Sequence, residues 1–318
     1  MFLLLFKIIA MSTEIQNAYV IETKDLTKVY GKKTVLDAVS MHVAQGDIYG
    51  FIGKNGAGKT TLMKLLLGMS HPNHGSLQLF GSDDLNAGRR RIGALIEAPA
   101  FYANCTAYEN LQRFAILANA EHQDLQALLQ FVGLGDVGKK KTGKFSLGMK
   151  QRLGIAIAML GDPELLILDE PINGLDPEGI KEIRDLLLRL NREKGVTILV
   201  SSHLLDELAK ITTRYGIINN GRLVEETTAD ALTQRCQHKL NIVTEQPLQA
   251  VKLIQKLYPQ WEVTYSGNRI QIVIKDQEDL NSAAINRELV MHEIDVQELT
   301  YTTENMEDYF IERMGGKA

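Results

Sequence analysis

The chain has 318 residues, 45% of them hydrophobic and 23% charged, with 35 Lys and Arg against 39 Asp and Glu for a formal net charge of -4. That length and composition describe a folded chain of about two domains. The slight acidity supplies no global positive field to hold a phosphate backbone, so nucleic acid is not expected as a partner. Cys105 and Cys236 are too few and too far apart for a disulfide framework or a Cys-rich metal site, and are read as reduced cytosolic thiols.

The opening stretch Met1 to Ala10, MFLLLFKIIA, is apolar but spans about half of the roughly 20 residues that a membrane helix needs. It has neither a basic lead nor a small-residue cleavage site, so residues 1–18 are read as an extension and not as a signal peptide or an anchor. No later run is long enough to cross a bilayer either, which leaves any membrane task to another chain.

From Tyr19 onward, short β-type runs alternate with helical patterns: VIETKDLTKVY, SMHVAQGDIYGFIG, a helix from about Lys59 to Met69, then SLQLFG. The alternation predicts an α/β fold with a largely parallel central sheet. Residues from about Ala107 to Phe131 read as helical, with Leu111, Phe114, Ala115 and Ala118 on one face. They form the centre of an expected helical insertion over about 98–160. The runs LLILDE at 165–170 and TILVSS at 197–202 are nearly all apolar, as suits strands buried on both faces, and the helix Glu178 to Glu193 separates them. After Gly221 the character changes. Strand KLNIVT, helix 248–257, strands WEVTY and RIQIVI, helix 279–290 and strand EIDVQEL follow in the order βαββαβ, which suggests a small ferredoxin-like α+β domain over 229–318. A helix from about Glu304 to Arg313 closes it.

Two clusters carry chemistry. Gly53-Lys54-Asn55-Gly56-Ala57-Gly58-Lys59-Thr60 fits G-x-x-x-x-G-K-[ST], follows the strand DIYGFIG and opens the helix TTLMKLLLG, which is the context the motif requires. Gly53, Gly56 and Gly58 let the loop that carries Asn55 curl its N–H groups toward phosphate oxygens, and the helix N-terminus adds a favourable dipole. Lys59 is expected at the β- and γ-phosphates, the Thr60 hydroxyl on Mg²⁺, and Thr61 on a phosphate oxygen. ATP or GTP binding follows. In LLILDEP, Asp169 and Glu170 end a buried strand, where adjacent carboxylates are costly unless a cation or a catalytic task accounts for them. Asp169 is assigned to Mg²⁺ and Glu170 to the general base for the attacking water.

Three further motifs bring a family into view. Phe145-Ser146-Leu147-Gly148-Met149-Lys150-Gln151-Arg152, upstream of LLILDE, resembles the LSGGQ signature of ABC ATPases. Asn173-Gly174-Leu175-Asp176-Pro177 resembles their D-loop, and Ser201-Ser202-His203 their switch histidine. The resemblance covers about residues 19–225, within a P-loop NTPase domain taken to end at 228. LGMKQRLGIA and ENMEDYFIERMGG narrow it to the ATP-binding subunits of bacitracin-resistance and lantibiotic-immunity exporters.

The resemblance implies roles residue by residue. Tyr30 is expected to stack on adenine, and His203 to contact the γ-phosphate. Ser146 and Gly148 are expected to touch the γ-phosphate held by the opposite subunit, so two chains, a homodimer or this chain with a close relative, would sandwich two ATP molecules. Glu97 stands where most of the superfamily has Gln and is expected to be a hard oxygen ligand of Mg²⁺. It precedes Ala98-Pro99-Ala100-Phe101-Tyr102, whose Phe101 and Tyr102 are candidate anchors for an integral-membrane permease. Leu147 replaces a glycine of LSGGQ and Met149 its glutamine, so backbone donors survive while one side-chain contact is lost. The implied function is ATP binding and hydrolysis at the cytoplasmic face of the cell membrane, driving export of an antimicrobial peptide. The alternative is a soluble ABC ATPase of translation or DNA repair. Such proteins carry two cassettes or a long coiled coil, whereas one cassette and no sustained heptad run are read here.

Overall fold

The computed structural model describes residues 19–97, 101–236, 238–274, 281–302 and 306–315. The extension 1–18 and the loop Ala98-Pro99-Ala100 lie outside them.

In chain order the first unit runs β1 (Tyr19–Tyr30), β2 (Lys33–Ala44), β3 (Ile48–Ile52), α1 (Lys59–Leu66), β4 (His74–Leu79), α2 (Leu85–Arg89) and β5 (Ile92–Leu95). It continues with α3 (Ala107–Leu117), α4 (Leu125–Phe131), α5 (Leu147–Ala158), β6 (Leu165–Asp169), α6 (Pro177–Lys194), β7 (Thr197–Ser202), α7 (Leu205–Ala209), β8 (Arg214–Asn219) and β9 (Arg222–Thr228). Strands β3, β6 and β7 are buried at every position, which is why they read as unbroken apolar runs. They lie side by side in a six-stranded sheet of order β5-β6-β7-β3-β8-β9, parallel from β5 to β8 and closed by antiparallel β9. A separate antiparallel sheet has the order β2-β1-β4.

One apolar cluster joins both sheets across α1: Leu26, Leu36 and Met41 from the antiparallel sheet, Leu62 and Leu66 from α1, Phe51 and Leu199 from the parallel sheet. Each such fully buried side chain is worth about 1.5–3 kcal/mol of transfer free energy. The cluster therefore anchors the loop between β3 and α1 at both ends.

The region read as continuous helix over 107–131 is two helices. Thr106 and Glu109 form a reciprocal capping box that starts α3, the chain breaks at Asn119 with φ +51, and Asp124 caps α4 by accepting from Gln126 and Ala127 N–H. SMHVAQGDIYGFIG likewise divides into the end of β2 and all of β3 around Gly46, whose φ is +84. Helix α6 starts at the Asp176 cap with Pro177 in its first turn and stops at Gly195 with φ +67.

The helix α8 (Ala229–Arg235) leads into β10 (His238–Val243), α9 (Pro247–Leu257), β11 (Glu262–Ser266), β12 (Arg269–Ile274), α10 (Ser282–Met291), β13 (Glu298–Thr302) and α11 (Met306–Arg313). The second compact unit takes residues 230–312, and residues 313–315 cluster with the first. Its four-stranded sheet has the order β11-β12-β10-β13, antiparallel throughout. Leu240, Ile242, Ile270 and Ile272 alternate along their strands and pack on Ala250, Ile254, Ile285 and Leu289 of the helices. The last strand starts later than EIDVQEL suggests. Ile294 and Val296 join this core from an irregular segment, and ladder pairing begins only at Glu298. No described helix is long and apolar enough to cross a membrane.

Candidate functional site

Strand β3 ends at Ile52 and α1 begins at Lys59, so the Gly53–Gly58 loop is strung between two buried elements. Its turn depends on glycine. Gly56 and Gly58 have φ +80 and +115, and a Cβ on Gly58 would stand 2.7 Å from Leu36 Cδ2 and 3.0 Å from the Val35 carbonyl oxygen. The loop borders a cavity of about 440 Å³ that brings together Asn55, Gly56, Gly58, Lys59, Thr60, Thr61 and Glu170.

Lys59 is 5% exposed, so its charge needs partners. Its ammonium donates to the carbonyl oxygens of Gly53 at 2.6 Å and Lys54 at 3.4 Å, and lies 3.4 Å from Glu170 Oε1. The hydroxyl of Thr60 donates to Asp169 Oδ2 at 2.7 Å. The end of β6 therefore meets the start of α1 at a hydroxyl and a carboxylate, a hard oxygen pair of the kind Mg²⁺ takes.

Glu170 follows directly, in the left-handed region at φ +49, a conformation costly for a residue with a side chain and common at functional sites. Its Oε2 lies 2.8 Å from His203 Nδ1. An ionised carboxylate only accepts, so this pair requires the proton on Nδ1, which in the neutral ring leaves Nε2 as an acceptor. The carboxylate is thus held between an ammonium and an imidazole.

Sequence reasoning quoted Ser201 beside the switch histidine but gave it no role. Its hydroxyl donates to Asp169 Oδ1 at 2.6 Å and accepts from Glu170 N–H at 2.9 Å, fixing both acids from the neighbouring strand. The signal was a pair of serines ending the apolar run TILVSS, since a buried hydroxyl needs partners. Lys33 and Val35 also line the cavity and were not singled out. Two apart on β2, they share a strand face.

The other predicted residues stand apart from this cluster. Tyr30 ends β1, 48% exposed, with its hydroxyl 3.3 Å from Ser70 Oγ and Lys28 Nζ 4.8 Å from its ring centroid. Glu97, at φ +61, accepts from Lys64 Nζ at 2.7 Å. That hydrogen bond holds its carboxyl below the usual carboxylate range and raises Lys64. Lys64 lies one helical turn beyond Thr60, so Glu97 faces the next turn of α1 and not the Thr60–Asp169 pair. Ser146 and Gly148 sit at the N-terminus of α5, away from the cavity, and Ser146 Oγ caps that helix by accepting from Met149 N–H at 3.3 Å. Phe101 is half-buried and Tyr102 exposed.

Comparison with known proteins accords with this arrangement. Residues 36–173 match the family model described as ABC transporter. The chain is 43% identical over 304 residues to the bacitracin transport ATP-binding protein of Bacillus licheniformis, covering 93% of this chain and 98% of that one. It is 42% identical over 210 residues to the lantibiotic transport ATP-binding protein of Streptococcus pyogenes, covering 66% of this chain and 91% of the relative. Among solved structures, an ATP-binding subunit of an ABC transporter aligns with a TM-score of 0.59 at 31% identity, over 68% of this chain and 92% of its own. A dimeric cassette in a post-hydrolysis state with ADP and Pi shares the fold with a TM-score of 0.59 at 24% identity, over 66% of this chain and 98% of its own. The loop between β3 and α1, the acids ending β6 and the signature opening α5 are thus parts of one ATPase cassette, and the chain belongs to the ABC transporter family, among its ATP-binding, ATP-hydrolysing proteins.

Proposed function

We propose that this chain powers an exporter that clears antimicrobial peptides of the bacitracin or lantibiotic kind, paired with a second copy and docked on an integral-membrane permease at the cytoplasmic face of the membrane. The observation that carries the reading is the extent of the likeness to the bacitracin transport protein, which spans 93% of this chain and so includes most of the C-terminal unit. The likeness to the lantibiotic transport protein covers 66%. That difference favours a bacitracin-like cargo.

Within the site, Lys59 and the loop N–H groups bind the phosphates, Tyr30 stacks on the base, and Thr61 takes a phosphate oxygen. Thr60 and Asp169 would hold Mg²⁺, which supplies neutralisation of phosphate charge when bound. Glu170 accepts a proton from the attacking water, and His203 orients it and offers Nε2 toward the transferring phosphate. Ser146 and Gly148 reach the nucleotide of the partner copy. In sequence Glu97 lies between the cassette core and the helical insertion, shortly before Phe101 and Tyr102, and would couple the site to the permease.

Resistance to bacitracin and to a lantibiotic, scored in cells co-expressing the chain with its permease, tests this reading. Protection is expected with the native chain, and Glu97→Ala should abolish it while leaving ATP affinity nearly unchanged, whereas Glu97→Gln keeps an oxygen that can accept from Lys64 and largely preserves hydrolysis. Full protection by the alanine variant removes Glu97 from the mechanism. Absence of protection by the native chain against either peptide removes the cargo assignment.

A further inference from the structure

The end of β1 is braced by the residues that follow α1. Asn73 N–H donates to the Thr27 carbonyl oxygen at 2.8 Å, Lys28 Nζ to that of His71 at 2.7 Å, and Val29 N–H to Asn73 Oδ1 at 2.8 Å. The Tyr30 hydroxyl stands 3.3 Å from Ser70 Oγ. Ser70 in turn is closed onto α1, its N–H donating to the Lys64 carbonyl oxygen at 3.3 Å. The strand end that carries Tyr30 is therefore tied to the helix that opens with Lys59 and Thr60.

Backbone ties fix the strand and not the ring. Tyr30 is exposed, and an exposed tyrosine changes rotamer unless something holds it. Its hydroxyl meets Ser70 at the edge of the ring. Lys28 acts on a face: it is half-buried, stands two residues earlier and so on the same side of the strand, and sets its ammonium over the ring, 4.8 Å from the centroid. The His71 carbonyl oxygen that accepts from this ammonium keeps it there. With a cation over one face, the opposite face is the one left for a base to stack on.

We infer that Lys28 is a positioning residue for adenine, which holds the Tyr30 ring in the orientation that receives the base without itself touching the nucleotide. The inference rests on the reading that Tyr30 stacks on the base. A cation–π contact at an exposed site favours one orientation by about two- to fivefold. Apparent affinity falls with the fraction of the protein that is ready to bind. Loss of Lys28 therefore costs affinity by about that factor, and only for a ligand that carries a base.

The test titrates the full chain with ATP and with inorganic tripolyphosphate, both without Mg²⁺ so that neither is hydrolysed. Lys28→Met, which keeps the length of the side chain and removes its charge, is expected to weaken ATP binding about two- to fivefold and to leave tripolyphosphate affinity unchanged. Lys28→Arg should keep native ATP affinity, because a guanidinium also lies over an aromatic face. In a Tyr30→Ala chain, Lys28→Met should cost nothing further. Native ATP affinity in the methionine variant overturns the inference. So does an equal loss for tripolyphosphate, which would make Lys28 a charge that attracts phosphates or a support of the whole site, and so does a loss that arginine shares or that persists without Tyr30. Tyr30→Ala alone separates the underlying reading: it should weaken ATP binding about five- to a hundredfold with tripolyphosphate unaffected. Native ATP affinity there removes the stacking and the inference with it, whereas a loss there beside native affinity in Lys28→Met removes the inference alone.

Discussion

His203 Nδ1 stands 2.8 Å from one oxygen of Glu170 while Lys59 Nζ stands 3.4 Å from the other, so the acid after β6 is clamped at both ends. In the proposed role of base, Glu170 is aimed by these two partners. Removing one clamp should therefore cost turnover more than binding. His203→Ala is expected to lower kcat about a hundredfold, the size that a misaimed catalytic group produces, with ATP affinity changed little. Steady-state kinetics beside equilibrium titration checks this, and a variant with native kcat would release His203 from the site.

Lys59 behaves differently, because its ammonium faces the phosphate loop in the ground state. Hydrogen bonds to a charged group are worth about 1.5–3 kcal/mol, which corresponds to roughly ten- to a hundredfold in a dissociation constant. Lys59→Ala should weaken ATP binding by that factor and lower turnover as well. Unaltered affinity in the titration would show that the cavity beside Lys59 is not where the phosphates lie.

A cluster around the buried Tyr49 makes a pH prediction. Tyr49, on the strand that leads into the loop, donates to Glu226 Oε1 at 2.8 Å, and the same carboxylate accepts from His42 N–H at 2.8 Å and lies 3.0 Å from His42 Nδ1. Burial first, then the nearby Glu226 charge, pushes the Tyr49 phenol well above its ordinary pKa of 10.0; Asp47 adds to this and Arg214 opposes it. A raised folded-state pKa means the stabilisation is complete below the unfolded value, about 10. It is lost as pH rises past that value toward the folded one, because the unfolded phenol then gives up a proton that the folded one keeps. Tyr49→Phe should flatten the alkaline fall in stability. Denaturant midpoints measured from pH about 9 to about 11 check this, and equal slopes for the two chains would contradict it.

The parts of the fold and site that sequence showed were those with local causes. Strand β3, the loop at Gly53–Gly58 and helix α1 follow from an apolar run, glycines and a helical period in direct succession, and β6 and β7 from buried runs of one character. The antiparallel β8–β9 hairpin also had a local mark, since Asn220 and Gly221, at φ +48 and +79, form the Asn-Gly turn that such hairpins favour, yet it was passed over within a mixed stretch. What was not legible came from pairing across distance. Ser201 acts on Asp169 and Glu170 only because β7 lies beside β6. Lys33 and Val35 reach the cavity only because the antiparallel sheet is packed near the loop. Glu97 faces Lys64 because an exposed carboxylate takes the ammonium within its reach, and nothing in the run IGALIE names that partner.

The central claim is that Glu170 is the base of an ATPase whose two copies close on ATP, and Glu170→Gln tests it most directly. The change keeps the size of the side chain and the phosphate and magnesium ligands while removing the proton acceptor. Turnover should fall by about 10²- to 10⁴-fold while ATP binding persists, so that ATP·Mg²⁺ accumulates between two chains. The measurement is light scattering behind a sizing column, with and without ATP·Mg²⁺, paired with phosphate release from the same sample. The account predicts an ATP-dependent dimer that releases almost no phosphate. A variant that stays monomeric with ATP and hydrolyses it at the native rate would contradict it.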